Sequence, residues 1–291
     1  MSFSNSLETR IQMAGNPVCL GMDPKISLMP VERRHGEVKS TEEKIRIFYM
    51  DILEECEKRN VKPAVVKPNS AFYECVSIEC MAVLRDLIRA YSEAGISVVL
   101  DAKRGDIGKT SSAYADAAFR IYGADAVTVN PWMGRDSVMP FLEHPAGKGV
   151  YALLRTSNKG AADFQDLPVE NSSAFFAVAQ KLLEWDNGNL GAVVGATHPE
   201  ELERIVAFFA EKNHEIPFLI PGISIPGVPG GQGGDAKTVV NAIANGGGKR
   251  HFHVFNSSSG LNFAWQRTGK EAEYASACVD ALESLAEALQ G

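Results

Sequence analysis

The chain has 291 residues, of which 45% are hydrophobic and 22% charged, and its formal net charge at pH 7 is -7. This composition is typical of globular proteins and argues against disordered and fibrous classes. The negative balance argues against a general nucleic-acid-binding protein, because affinity for phosphate backbones requires clustered lysine and arginine.

The start of the chain and the cysteines spread along it indicate a soluble intracellular protein. Residues 1–16 contain no charged region leading into an apolar run. No later stretch reaches the roughly 18 apolar residues that a membrane span requires. The five cysteines are scattered and form no C-x-x-C pair. We therefore expect free thiols, a cytoplasmic location and no contact with a membrane.

Short β-rich runs alternate with amphipathic segments along the chain. The runs are eight in number: VCLGMD (18–23), PAVVKP (63–68), ISVVLD (96–101), DAVTVN (125–130), GVYALLR (149–155), LGAVVG (190–195), PFLIPG (217–222) and HFHVFN (251–256). Apolar residues recur near helical spacing in segments 42–59, 77–94, 171–186, 198–212 and 270–289.

This alternation predicts an α/β protein, a closed (β/α)8 TIM barrel formed by residues 1–291 as a single domain. Parallel strands need crossover connections, and a closed ring leaves no exposed edge. An open doubly wound sheet is the alternative, but no G-x-G-x-x-G follows the first strand, which weakens its dinucleotide-binding form. The glycine-rich segment 222–235 follows a strand, and we expect it to be a functional loop and a candidate lid.

Polar side chains end the first five predicted strands, where catalytic groups of such barrels project. They are Asp23, Lys67, Asp101, Asn130 and the polar turn Arg155–Asn158. A single aspartate at a strand end is more often a cap or turn residue.

Four charged residues together indicate a catalytic site more specifically than a single aspartate at a strand end does. Asp101 and Lys103 are two residues apart, so in an extended chain their side chains leave on one face. Lys67 would join them at the predicted mouth, and Asp106 lies just past Gly105, a residue with a permissive backbone. Like charges about 4 Å apart repel by about 4 kcal/mol at an effective dielectric of about 20, and the alternation of sign among these four relieves that repulsion.

These residues carry a resemblance to a known family. The segment LDAKRGDIGKT (100–110) contains D-x-K-x-x-D and resembles the signature of the orotidine 5′-phosphate decarboxylase family. The chain is similar to its longer bacterial-type members from residue 15 to 265, notably at GMDPK (21–25), VVKPNSAFYE (65–74) and LLRTSNKGAADFQ (153–165).

The resemblance implies loss of CO2 from orotidine monophosphate to give uridine monophosphate, with neither metal nor organic cofactor. It implies a catalytic array of Lys67, Asp101, Lys103 and Asp106. Asp101 would face the substrate carboxylate, and Lys103 would stabilise developing negative charge and donate the proton. It also implies a homodimer in which Asp106, with Ile107 and Thr110, completes the partner's site.

The resemblance also implies how the nucleotide is held. Asp23 and Lys67 would bind ribose hydroxyls, and Ser157 would hydrogen-bond the pyrimidine edge. For Arg155, Thr156 and Asn158, a polar turn and direct contact remain equally open. Phosphate is expected after strands seven and eight. Its candidate ligands are Gly222, Gln232, Gly233, Gly234, Ser258 and Ser259.

One position departs from the family pattern. Related chains usually have arginine within the segment that here is NSSSG (256–260), and Ser259 stands in its place. A hydroxyl replaces neither the charge nor the bidentate geometry of a guanidinium. Lys249, Arg250 or Arg267 could supply the cation, backbone amides and serine hydroxyls could suffice, or the protein could be an inactive relative. Because the array is intact, we expect activity, and Ser259→Arg should lower KM unless another group fills the role.

Three other functions remain as alternatives. Lys67 or Lys103 could form a Schiff base, although neighbouring carboxylates should keep both lysines charged. A sugar-phosphate synthase of the same barrel superfamily would share D-x-K-x-x-D but use Mg²⁺. A non-catalytic relative would lack the phosphate-binding arginine. His251 and His253 could suggest a metal site, but packing is the stronger interpretation.

Overall fold

The eight predicted strands are present and close into one parallel barrel. The structure is a computed structural model that describes residues 1–144, 147–225, 233–249 and 252–290. The strands pair in chain order, and β1 closes the ring against β8. They are β1 Val18–Met22, β2 Val65–Pro68, β3 Ser97–Arg104, β4 Ala126–Val129, β5 Gly149–Arg155, β6 Leu190–Val194, β7 Phe218–Pro221 and β8 Val254–Ser257.

Helices precede the barrel and connect its strands, as the periodicity predicts for the five amphipathic segments. The longer ones are α1 Phe3–Ala14, α2 Thr41–Arg59, α3 Cys80–Glu93, α4 Gly108–Asp116, α5 Arg135–Leu142, α6 Ala174–Trp185, α7 Pro199–Glu211, α8 Ala236–Asn245 and α9 Tyr274–Gln290. Of these, α1, α4, α5 and α8 were not among the segments with predicted helical spacing.

The ends of α2 show how local sequence sets an element's limits. The Ser40 side chain accepts a hydrogen bond from the backbone N–H of Glu43 at 3.1 Å, which caps the first turn. Acidic residues lie in the first turn and basic residues in the last, where they complement the helix dipole. Asn60 ends the helix in the left-handed conformation, with φ 54°.

The amino end of the barrel is closed by α1. Phe3, Leu7 and Ile11 of this helix are buried in a small core inside the ring of strands. The Phe3 and Tyr151 rings meet edge to face with centroids 5.7 Å apart. A Cβ at position 149 would lie 2.3 Å from Cγ of Phe3, so glycine is required there. This apolar plug leaves the carboxyl end of the barrel as the open mouth.

Strand alternation places polar residues directly above this inner core. Val65 and Val99 belong to the apolar layer inside the barrel. Two residues further along the same strands, the inward positions are Lys67 and Asp101, which are 5% and 6% exposed. Since side chains in a strand repeat with period two, the same pattern that builds the core carries the charged pair to the mouth.

The cysteines and the helices agree with the expectations of free thiols and no membrane-spanning helix within the described ranges. All five cysteines are free, and Cys75 is exposed while the other four are buried. Within the described ranges, none of the helices combines the length and apolar character needed to cross a membrane. Much of the proposed lid, residues 226–232, lies outside the described residues, as do Gln232, Arg250 and His251.

Candidate active site

Lys67, Asp101 and Lys103 meet at the mouth of the barrel. Lys67 Nζ donates a hydrogen bond to Asp101 Oδ2 at 2.9 Å, and Lys103 Nζ donates to Asp101 Oδ1 at 2.6 Å. The Lys67 side chain is 6% exposed, whereas that of Lys103 is 49% exposed. The structure thus brings together three of the four charged residues singled out in the sequence, with one ammonium buried and the other open to the cavity.

The backbone at Lys103 differs from the extended geometry we assumed. Lys103 has a φ of 44°, and the pairing of β3 with β4 shifts register between Leu100 and Arg104. A left-handed lysine is conformationally unfavourable by about 1–2 kcal/mol. The expected meeting of Asp101 and Lys103 occurs, but an irregularity of the strand produces it rather than simple alternation.

Thr128 on β4 fixes both ends of this irregular segment. Its hydroxyl donates to Asp101 Oδ1 at 2.9 Å and accepts from the backbone N–H of Lys103 at 2.9 Å. Thr128 is 1% exposed. Because its rotation is limited by these two bonds, Thr128 holds the Asp101 carboxylate and the Lys103 backbone in one arrangement.

The two lysines keep Asp101 ionised. Burial alone would raise the pKa of Asp101, but the ammonium groups of Lys67 and Lys103 outweigh burial and lower that pKa to about 2. Burial alone would lower the pKa of Lys67, but the carboxylates of Asp101 and Asp23 outweigh burial and raise it. A raised pKa is the opposite of what a Schiff-base lysine needs, which disfavours the aldolase-like alternative for Lys67.

These residues line a cavity of about 500 Å³, which we call the charged lobe. Its wall after β5 includes Thr156, Ser157 and Asn158. Apolar contributions come from Leu153, Ala161, Phe164, Val193, Leu219 and Pro221. A largely apolar wall with a few convergent polar groups is the usual form of a small-molecule site.

A second cavity of about 600 Å³ adjoins it, and we call it the serine lobe. The two cavities share Ser157 and Asn158. The serine lobe lies at the ends of β7 and β8. It is lined by Gly222, Ser224, Gly233, Asn256, Ser257, Ser258, Ser259 and Arg267, among others. Four of the six predicted phosphate-binding residues therefore lie around one cavity, and Gln232 lies outside the described residues.

Two positions at this lobe require glycine. Gly222 adopts a φ of 86°, which favours glycine. A Cβ at Gly233 would lie 2.2 Å from the carbonyl oxygen of Gly222. The two turns after β7 therefore approach each other more closely than any other residue type permits.

Asp106 stands apart from the other three charges. Its carboxylate accepts a hydrogen bond from the backbone N–H of Ile107 at 2.8 Å. Within the described part of the chain, it makes no ion pair within 4.0 Å with Lys67 or Lys103, both of which pair with Asp101. Ile107 is 51% exposed, and Thr110 is exposed beside it on α4. Asp106, which is half-buried, is therefore separate from the ion pairs of Asp101 and lies next to an exposed segment.

Other strand-end residues have structural contacts. Asn130 caps a short 3-10 helix by accepting from the Trp132 backbone N–H at 3.0 Å. Arg155 is 4% exposed and forms ion pairs with Glu201 and Asp166 at 2.5 and 3.0 Å. Of the two interpretations left open for Arg155, the structure favours the structural one, while Thr156 and Asn158 line the cavity.

Asp23 and Arg104 also have defined surroundings. Asp23 Oδ1 is buried and has no hydrogen-bond partner among the described residues, and Asp23 contributes to the raised pKa of Lys67. This places an unsatisfied carboxylate oxygen next to the array. Arg104 pairs with Glu74 at 3.6 Å and lies over the Tyr114 ring at 4.8 Å. It therefore packs outside the charged lobe.

His253 is a core residue. Its Nδ1 accepts the Phe218 backbone N–H at 3.0 Å, and the two rings stack with centroids 4.7 Å apart. Burial lowers its pKa to about 3. The packing interpretation of His253 is therefore confirmed.

Among the cavity residues that sequence reasoning missed are Thr128, Phe164 and Gln165. Thr128 was hidden because we assigned the polar end of β4 to Asn130, although Thr128 has the inward parity of Ala126. Gln165, which accepts the Thr156 backbone N–H at 3.0 Å, and Phe164 lie in a loop with no periodic signal. Parity within DAVTVN could have identified Thr128, but nothing local distinguishes the loop residues.

Comparisons with known proteins agree with this geometry. The model of the orotidine 5′-phosphate decarboxylase / HUMPS family matches residues 16–254. An orotidine 5′-phosphate decarboxylase of Natronomonas pharaonis is 39% identical over 278 residues, covering 94% of this chain and 93% of that protein. One of Janthinobacterium sp. is 38% identical and covers 91% of this chain and 90% of that protein.

A solved structure extends the similarity to the whole fold. The structure of Leishmania donovani OMP decarboxylase superposes with a TM-score of 0.73 at 33% sequence identity. The match covers 99% of each chain.

Proposed function

This chain belongs to the orotidine 5′-phosphate decarboxylase / HUMPS family, and we propose that its charged lobe carries out the decarboxylation. The enzyme is a carboxy-lyase of pyrimidine biosynthesis that converts orotidine 5′-monophosphate to uridine 5′-monophosphate. The observation that carries the assignment of the site is the Asp101 carboxylate held between two ammonium groups on the cavity wall.

Asp101 and Lys103 have complementary roles in the proposed reaction. The Asp101 carboxylate, ionised at neutral pH, faces the substrate carboxylate, and their repulsion is relieved as neutral CO2 leaves. Breaking the bond to CO2 leaves an electron pair on the ring carbon. The Lys103 ammonium stabilises that charge and transfers a proton to the same carbon. Lys103 is then neutral and regains a proton from water, and its half-exposed side chain permits this.

The remaining groups position the nucleotide. Lys67 and Asp23 bind ribose hydroxyls in this proposal, which gives the unsatisfied Asp23 oxygen a partner. Ser157, shared by the two cavities, contacts the pyrimidine edge. The serine lobe receives the 5′-phosphate through Gly222, Gly233, Ser258 and Ser259. Gln232, predicted beside them, lies outside the described residues.

We further propose a homodimer in which Asp106, Ile107 and Thr110 complete the partner's site. Two features support it. Asp106 does not join the array of its own chain within the described residues. Ile107, Trp132 and Met133, which follow the neighbouring strands β3 and β4, are 51%, 75% and 50% exposed. Exposed apolar side chains grouped at one rim are typical of a protein interface.

Mixing two inactive variants tests this arrangement. Lys103→Ala and Asp106→Ala dimers should each lose most activity. Since a mixed dimer contains one site with both residues intact, dissociating and reassociating an equal mixture should restore about a quarter of wild-type activity. No recovery in dimers shown to have exchanged subunits would contradict a shared site.

The assignment of the reaction is tested by product analysis. Purified chain incubated with orotidine monophosphate should release CO2 and uridine monophosphate, followed as a fall in substrate absorbance. Activity should survive a chelator, whereas loss of activity on chelation would favour the Mg²⁺-dependent sugar-phosphate synthase.

We place the enzyme in the cytoplasm as one catalytic domain, a proposal supported by its nucleotide substrate and five free thiols.

A further inference from the structure

We propose that Arg267 supplies the cation for the substrate phosphate, which this chain lacks at position 259. The inference rests on the proposed function, since it assigns a ligand to the serine lobe of the same site. Arg267 lines that lobe together with Ser258 and Ser259. The positive charge would therefore come from a segment eight positions further along the chain.

The guanidinium lies next to the position that lost its arginine. Arg267 Nη2 donates to the carbonyl oxygen of Gly260 at 3.3 Å, and Gly260 directly follows Ser259. An exposed guanidinium has five donors, so most remain available for another acceptor. A phosphate group matches this fork, because its oxygens can accept parallel charge-assisted hydrogen bonds.

The backbone that carries Arg267 is anchored. Trp265 donates its indole N–H to the carbonyl oxygen of Leu28 at 3.3 Å. Phe263 and Ala264 are 5% and 4% exposed, within the outer core. The end of the short 3-10 helix Ala264–Arg267 is thereby fixed beside the lobe. A fixed backbone limits the conformational entropy lost when the side chain closes on a ligand.

The charge balance of the lobe also points to an anion. Among the described residues that line the serine lobe, Arg267 is the one with a charged side chain. Serines, glycines and Asn256 make up most of the other lining residues. Arg155 shows the contrast, because Glu201 and Asp166 already neutralise it. Arg267, by comparison, donates to a carbonyl oxygen and pairs with no carboxylate among the described residues.

The other basic candidate in the described residues is at the wrong end of the barrel. Lys249 precedes β8, and its ammonium is 4.0 Å from Glu215 and 5.7 Å from the centre of the Phe252 ring. The lobe follows β8, at the opposite end of the strand. Arg250 lies outside the described residues.

Ligand binding with and without a phosphate tests the proposal. Arg267→Gln should raise the Kd for uridine monophosphate roughly tenfold to 100-fold, as expected for loss of a charge-assisted bond. The Kd for uridine, which has no phosphate, should change by less than about twofold. Arg89→Gln, which removes an exposed arginine from the outer helix α3, is the matched control and should leave both values unchanged.

Returning the arginine to position 259 gives a second, independent readout. In the Arg267→Gln background, Ser259→Arg should recover most of the lost affinity for uridine monophosphate. In the wild-type background the same change should gain less than about threefold, because a cation is already present. A gain above tenfold in the wild type would overturn the proposal, since it would show that the lobe lacks a cation.

The outcomes separate this inference from the proposed function. If the wild type decarboxylates orotidine monophosphate but Arg267→Gln binds uridine monophosphate normally, only the role of Arg267 fails. Equal weakening of uridine and uridine monophosphate would also overturn it, because the effect would then be structural. If the wild type is inactive yet its affinity for uridine monophosphate depends on Arg267, only the proposed reaction fails. A wild type that binds no uridine monophosphate overturns both.

Discussion

The charged lobe and the serine lobe share Ser157 and Asn158 but carry charge in different ways. In the charged lobe, Asp101 is 6% exposed and contacts two ammonium groups. In the serine lobe, the cation is an exposed arginine bonded to a carbonyl. Electrostatic interactions are stronger where water is excluded, so the first arrangement suits a reacting centre. The second suits a ligand group that brings its own charge.

Because of this difference, stability and function are coupled in one lobe and separable in the other. Removing one partner of a buried ion pair leaves an uncompensated charge, whereas removing an exposed polar group does little to the fold. Substitutions in the charged lobe should therefore change both activity and stability. Substitutions of the exposed polar side chains of the serine lobe, Ser259 and Arg267, should change ligand binding alone.

The largest expected effect on stability is that of Asp101→Ala. Lys67 would keep a 6%-exposed side chain without its partner, and we expect the free energy of unfolding to fall by about 3–5 kcal/mol. The matched change in the serine lobe, Ser259→Ala, should stay within about 0.5 kcal/mol. Urea denaturation of the three proteins measures both values. Equal losses in the two variants would remove the distinction between the lobes.

Gly195→Ala disturbs the boundary between the two lobes. A Cβ there would lie 2.8 Å from Cβ of Ser157 and 2.9 Å from its backbone nitrogen. We expect about 1–3 kcal/mol of destabilisation and a higher KM, because Ser157 must move. Gly160→Ala is the control, since its Cβ would meet the nearest atom, Nδ2 of Asn158, at 3.4 Å. If Gly195→Ala behaved like that control in unfolding and kinetics, Ser157 would have no fixed role.

The smallest effect is on the pH dependence of stability. The pKa of Asp101 is lowered to about 2 in the folded protein and is near 3.9 when unfolded. The stabilisation from its ionisation is therefore present above about pH 4 and is lost as pH falls toward 2. Between pH 5 and pH 3 the wild type should lose about 1 kcal/mol more than Asp101→Asn. Parallel pH profiles of the two unfolding free energies would show instead that Asp101 titrates normally.

The sequence was sufficient to predict the barrel and the charged residues Lys67, Asp101 and Lys103 at its mouth. Lys67 and Asp101 were predicted at the mouth because they lie at the ends of PAVVKP and ISVVLD, and the structure places Val65 and Val99 of the same strands in the inner core. The bend at Lys103 was not predictable, because a φ of 44° on a lysine is stabilised by a contact with Thr128 from another strand.

The serine lobe was harder to predict for the same physical reason. Ser259 signalled a missing cation, but the sequence left Lys249, Arg250 and Arg267 as alternatives. The structure distinguishes Lys249 from Arg267 by the end of β8 near which each lies, and Trp265 anchors the segment of Arg267 to Leu28. Such contacts between distant segments leave no periodic trace in the chain.

The Lys103→Ala variant tests whether the charged lobe performs the chemistry. Uridine monophosphate formed from orotidine monophosphate should be measured for wild type and variant, with the Kd of the product for each. Lys181→Ala, at an exposed lysine on α6, is the control. We predict that Lys103→Ala lowers kcat by at least about 10³-fold and changes that Kd by less than about tenfold. A Lys103→Ala variant with wild-type kcat would show that Lys103 does not donate the proton and that the chemistry does not depend on its ammonium.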